Sequence, residues 1–200
     1  MGLVRITPPA ELPVLLRDAK LHLRVDEDDT DEDPRIEGAL AAACAHAEGL
    51  TGGVFVTQTW RWTLDHFYAA ARPTDPRGLL RVPKPPLQSI ASIKYVDVAG
   101  TLQTVSPSTY DVDAGEQPGV IRLAYQQCWP TPRCQPTAVT IEFLAGYGTR
   151  AAVPASIKQA ILLLLGHFWE NREAVLTGSI ATELPAGAAA LLSLHSFPSA

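Results

Sequence analysis

His167 and Glu170 stand three residues apart in "IKQAILLLLGHFWENREA" (157–174). On a helix that spacing puts an imidazole and a carboxylate on one face, as in helical metal sites. With a third ligand the pair would describe a small metal-dependent hydrolase. Glu173 does not complete the set, because it diverges from His167 by about 120° around a helix. The third ligand would have to be His46, Cys44 or His195, each remote in sequence or on another segment. A histidine hydrogen-bonded at a helix edge accounts for the same residues more simply.

The second chemical feature is "DEDDTDED" at 26–33, where Asp26, Glu27, Asp28, Asp29, Asp31, Glu32 and Asp33 place seven acids in eight positions. Asp26, Asp28, Thr30 and Glu37 occupy positions 1, 3, 5 and 12 of a calcium-binding loop. The glycine required at position 6 is Asp31, however, and the apolar residue at position 8 is Asp33. A solvated loop, with some acids near the positive N-terminus of a following helix, fits better. Cys128 and Cys134 are spaced too widely for a zinc knuckle, and three cysteines do not make a disulfide framework, so free thiols are expected. "GYG" at 146–148 lacks the lysine and spacing of a phosphate loop, and no G-x-S-x-G occurs. Catalysis gains no positive support, and no cofactor or metal is implied.

Composition narrows the class further. The chain has 200 residues, 46% hydrophobic and 18% charged, enough for one sizeable core with a modest insertion. Its formal charge is -5, but without the acid run 14 acids face 16 Lys and Arg, so the acidity is local. No basic cluster with interleaved aromatics supports tight nucleic-acid binding. The stretch "MGLVRITPPAELPVLL" has no continuous apolar h-region, and the chain is read as cytoplasmic and non-secreted.

The elements that would position these residues follow from periodicity. A short amphipathic helix is expected around Leu16, Ala19 and Leu23. A second is expected from Asp33 as N-cap with Pro34 at the first helical position, through Ile36, Ala39, Leu40, Ala43, Ala47 and Leu50 to "TGG". From Val54 the period changes to two, with Gln58, Trp60, Trp62 and Leu64 on one strand face. Further strands are expected at 79–82, 89–97, 101–105, 110–113, 119–124 and 138–146, with a hairpin turn at Ala99-Gly100. Proline-rich segments at 69–78, 83–86 and 128–136 read as surface loops. Helical periodicity returns from Pro154 to about Arg172 and again over 183–194. The fold class is α+β: a helical core of two N-terminal and two C-terminal helices with an inserted antiparallel β module. The expected divisions are 1–52, 53–150 and 151–200.

The segment 157–174 is the most informative. Its apolar run from Ala160 to Trp169 spans about 15 Å of helix, whereas a bilayer core needs about 30 Å, so it does not cross a membrane. Around a helical wheel Ile157, Ala160, Ile161, Leu164 and Phe168 form one stripe, and Leu162, Leu165 and Trp169 a second. Leu163 lies on the far side. A helix this apolar must be covered on at least two sides, and Leu162, Leu165, Phe168 and Trp169 are candidate contacts to a neighbouring subunit.

Nearly the whole chain resembles the head–tail connector (adaptor) proteins of tailed bacteriophages and of related gene transfer particles. The resembling pieces are "LLRDAKLHLRVDEDD" (15–29), "AEGLTGGVFVTQTWRWTLD" (47–65), "PKPPLQSIASIKYVD" (83–97), "YDVDAGEQPGVIRL" (110–123), "VTIEFLAGYG" (139–148), "VPASIKQAILLLLGHFWENREAV" (153–175) and "ATELP" (181–185). Leu15 departs from the hydroxyl residue expected to cap the first helix, and the C-terminal segment is richer in alanine. The resemblance implies a structural subunit of a closed ring, twelve copies being expected, between the portal protein and the next head-completion, stopper or tail component; a transient assembly factor, absent from the finished particle, shares the same sequence features. It implies portal docking through residues 184–200, with Leu191, Leu192, Leu194 and Phe197 as candidates. DNA would pass through the ring without sequence-specific binding, and the acid run would face the lumen or a basic patch on a partner. The location implied is the head–tail junction of the particle, assembled in the host bacterial cytoplasm, with no membrane partner.

Overall fold

The computed structural model describes residues 1–67, 79–171 and 185–197. The loop read at 69–78, Glu173, and the resemblance segments at 172–175 and 181–184 lie outside the described residues. The fold is α+β, and two compact units divide the chain: a β unit built on Met1–Ala10 and Thr57–Tyr147, and a helical unit built on Glu11–Val56 and Gly148–Ser196.

The β unit follows the period-two pattern. Strands β1 (Gly2–Thr7), β2 (Gln58–Leu64), β4 (Leu87–Val96), β5 (Leu102–Thr104) and β8 (Val139–Ala145) form one antiparallel sheet in the order β1-β2-β8-β4-β5. Strands β3 (Leu80–Arg81), β6 (Tyr110–Asp113) and β7 (Val120–Leu123) form a second, in the order β3-β7-β6. In β8, Val139, Ile141, Phe143 and Ala145 are all buried, opposite Leu64, Trp62, Trp60 and Gln58 of β2. On the other face of the same pair Arg61 lies directly across from Glu142, and their side chains form an ion pair at 2.7 Å. The hairpin after β4 turns at Gly100, whose φ of 89° is left-handed, and Asp97 accepts its N–H at 2.9 Å.

Residues 1–10, grouped with the helices by the sequence reading, belong to the β unit. Gly2–Thr7 pairs with β2 as an edge strand whose last four residues are exposed. An edge strand with so little burial carries almost no hydrophobic alternation.

The helical unit comprises α1 (Leu16–Leu23), α2 (Asp33–Thr51), α3 (Ala155–Glu170) and α4 (Ala186–Ser193). Helix α1 begins at Leu15 with no side-chain cap and ends at Arg24 in the left-handed region. Helix α2 buries Ile36, Leu40, Ala43, Cys44, Ala47 and Thr51 and ends on Gly52, whose N–H reaches the Glu48 carbonyl. Two details of the α2 expectation change. Glu32, not Asp33, precedes the first helical residue and caps nothing: its carboxylate pairs with Arg35, while that of Asp33 is turned toward Lys20. Leu50 is 44% exposed; Thr51 takes the buried place and donates its hydroxyl to the Ala47 carbonyl at 3.0 Å. "GYG" turns the chain out of the sheet, with Gly146 and Gly148 at φ 122° and 124°.

One close approach in the β unit is testable. A Cβ placed on Gly119, just before β7, would lie 2.5 Å from Leu87 Cβ and 2.6 Å from Leu87 Cδ2. Gly119→Ala is expected to destabilise the chain by about 1–3 kcal/mol, the usual range for overpacking. Urea unfolding should show a lower midpoint at unchanged slope.

Candidate assembly surfaces

Helix α3 is covered more completely than its wheel requires of a single chain. Ile157, Ala160, Ile161 and Leu164 of the first stripe are inaccessible to solvent. Leu165, read from sequence as a subunit contact, is inaccessible as well and belongs to the core. Leu163, on the far side, is half-buried against α4: a Cβ on Gly187 would sit 3.6 Å from Leu163 Cδ1. Helices α1, α2 and α4 all pack on α3, so three neighbours share its circumference. Of the candidate contacts, Leu162, Phe168 and Trp169 remain half-buried. The Arg35 guanidinium lies 4.8 Å over the Trp169 ring, and Phe168 meets His46 edge-on at 5.9 Å.

The C-terminal candidates divide in the same way. Leu192, read from sequence as a docking contact, is 3% exposed and is buried with Ala188 on α4. Leu191 and Phe197 are half-buried, while Leu194 is 73% exposed.

The acid run is organised around Lys20, a residue of α1. Lys20 is 4% exposed, and its ammonium donates to the backbone carbonyls of Asp29 at 2.7 Å and Glu27 at 3.0 Å. It also pairs with Asp33 Oδ1 at 2.6 Å. Two carbonyls and a carboxylate are the ligand types a hard cation seeks, and here an ammonium holds them. Within the loop Asp26 accepts the Asp28 N–H at 3.3 Å and Asp29 accepts the Asp31 N–H at 3.1 Å, both short turns. Asp26, Glu27, Asp28, Asp29 and Asp31 are exposed, and Glu32 pairs with Arg35 at 3.0 Å. The signal was available: Lys20 falls on the stripe of Leu16, Ala19 and Leu23.

The candidate metal ligands are dispersed. Among the described residues no group of three or more His, Cys, Asp or Glu is placed to hold a metal ion. His167 lies at the end of α3, where Asn171 Nδ2 donates to its carbonyl at 2.9 Å. His46 lies against Phe168, and His195 Nε2 bonds Ser156 Oγ at 2.7 Å. Burial pushes the Cys44 thiol up to about 12, with Glu48 adding to the shift, so it stays protonated near neutrality. Cys128 and Cys134 are free and exposed. The Ser156–His195 distance suits a nucleophile and its base, but among the described residues no carboxylate bonds the other ring nitrogen. No helix of the described residues is long and apolar enough to cross a membrane.

No family model and no curated protein matches this sequence. Solved structures do. A chain from the neck of an empty GTA particle, computed with C6 symmetry, superposes with a TM-score of 0.75 at 22% identity, covering 100% of this chain and 97% of that one. A chain from the virion of a native gene transfer agent particle gives 0.74 at 22% identity over the same shares. A chain from the neck of a native GTA particle, computed with C12 symmetry, gives 0.71 at 22% identity, again covering 100% and 97%. This chain has their fold. The likeness runs through both units rather than resting on one sheet or one helix pair.

Two outcomes follow from the site geometry. Lys20→Met leaves the Asp33 carboxylate without its counter-ion and two carbonyls without their donor; with Asp33 partly hydrated, a loss of about 1–3 kcal/mol is expected in chemical denaturation. Thiol titration of the native chain near pH 8 should read Cys128 and Cys134 promptly and Cys44 only after unfolding.

Proposed function

We propose that the chain is a head–tail connector (adaptor) subunit of a tailed phage or phage-like particle, forming a ring beneath the portal and extending the DNA channel toward the tail. The observation that carries this reading is the end-to-end fold likeness to chains of particle necks computed with C6 and C12 symmetry. The sequence resemblance points the same way independently.

The proposed roles fall mainly on the helical unit, Phe197 being grouped with the β unit. A ring needs heterologous contacts, in which one surface of each subunit meets a different surface of the next. Leu162, Phe168 and Trp169, half-buried on α3, are the proposed subunit-contact side chains. Leu194, with Leu191 and Phe197, is the proposed portal contact. The exposed acids Asp26, Glu27, Asp28, Asp29 and Asp31, with Glu32 and Asp33 behind them, face the lumen or a basic patch on a partner. An acidic wall gains nothing from phosphate counterion release, so DNA slides past without being trapped. Twelve copies, a stopper or tail component on the far side, and assembly in the host bacterial cytoplasm complete the reading.

Mixing the full chain with the portal protein of the same particle and imaging the product by electron microscopy tests it. A symmetric collar at the narrow end of the portal is the expected result; absence of any association sinks the proposal. Replacing Asp26, Asp28, Asp29 and Asp31 by lysine is expected to block assembly or slow DNA passage, and variant particles that package and eject normally would remove the loop's role.

A further inference from the structure

Helices α3 and α4 run antiparallel, as two contacts show: Leu163 lies against Gly187, and Ser156, in the first turn of α3, meets His195, two residues beyond α4. The second contact is a part-buried hydrogen bond of 2.7 Å between Ser156 Oγ and His195 Nε2. We propose that this bond is a latch, and that Ser156 and His195 are positioning residues fixing how Leu194 is offered to the portal; the proposal rests on the connector reading above.

Helix α4 is tied at its end, among the described residues, by otherwise local bonds: Ser193 Oγ donates to the Ala190 carbonyl at 2.7 Å and the Ser196 N–H to the Ser193 carbonyl at 3.3 Å. It has eight residues, contains Gly187, and has no side-chain cap at its start, where Pro185 stands. A helix so short is not stable by itself. Its buried side chains are Ala188 and Leu192, and both precede the segment in question. Beyond Leu192 the backbone continues as a turn, with the His195 N–H on the Leu192 carbonyl at 2.9 Å. Leu194 projects 73% exposed from this turn, beside the residue whose ring is tied back to α3. The hydrogen bond therefore contributes little to burial of the core and much to the path of the chain at Leu194. Holding that path before docking removes an ordering cost that a free segment would bear on binding.

The experiment uses the full chain and its portal protein, and measures affinity, melting temperature and amide exchange over residues 186–197 for each variant. Ser156→Ala and His195→Phe are expected to bind about tenfold more weakly, the scale of one net hydrogen bond. Their melting temperatures should fall by no more than about 2–4 °C, the scale of one such bond in a chain of this length, and exchange after Leu192 should be faster. Ser156→Thr keeps the hydroxyl and His195→Gln keeps a polar nitrogen, so both should recover wild-type affinity. Wild-type binding by Ser156→Ala, with binding lost in Leu194→Ala, overturns the latch and leaves the connector reading standing. Wild-type binding by Leu194→Ala overturns both the docking role and the latch. A larger fall in melting temperature in parallel with affinity, without recovery in the Thr and Gln variants, would make the bond structural and sink the proposal.

Discussion

An α-helix with apolar side chains on nearly every side can persist in water only where other elements remove those sides from solvent. Helix α3 sets that requirement for the helical unit, and the other three helices meet it from different directions. Helix α2 contributes a long stripe of small and branched residues, Ile36, Leu40, Ala43 and Ala47, which permits close approach. Helix α4 contributes Gly187 beside Leu163, and α1 lies where Gly166 leaves room, the His22 ring sitting 3.4 Å from a Cβ built there. At about 25 cal/mol per Å², covering these side chains dominates over any local propensity. That is why α1, without a cap, and α4, with a glycine, hold as helices.

The Lys20 contact is the second constraint, and it is electrostatic. A lysine almost wholly out of solvent is tolerated only if its charge is paired and its donors are used. Glu27 and Asp29 provide carbonyls and Asp33 a carboxylate, so the α1–α2 connection is wound around a cation that the chain itself supplies. This explains why Asp33 abandons the capping role expected from its place before Pro34. It also shows how a loop so rich in carboxylates can hold one conformation: its inward carbonyls and one acid are neutralised, while the other acids point to water.

Much of this was legible in the sequence for physical reasons. Strong alternation announced β2 and β8, because both strands have one buried face. The glycines at 52 and 100 marked reversals that take positive φ. The two stripes of α3 announced multiple neighbours, but the sequence could not say whether those neighbours were its own helices; Leu165 and Leu192 proved to be core side chains. Strand β1 escaped because an exposed edge strand is specified by its partner. The Ser156–His195 bond escaped because it joins residues thirty-nine apart through an antiparallel register that no local pattern encodes.

In the proposed ring the acid loop and the apolar contacts constrain one another. Exposed like charges repel over roughly 8 Å at physiological ionic strength, and a ring repeats each loop at every subunit. Two such loops facing across a subunit contact would oppose closure, and burial of apolar side chains would have to overcome both repulsion and desolvation of the carboxylates. The arrangement that eases this conflict gives the seam to Leu162, Phe168 and Trp169, so that the acid run meets the contacts only through Glu32, already paired with the Arg35 guanidinium that lies over the Trp169 ring. The loops then form an acidic band beside the contacts rather than within them, where they can repel phosphate or meet a basic partner without weakening the ring.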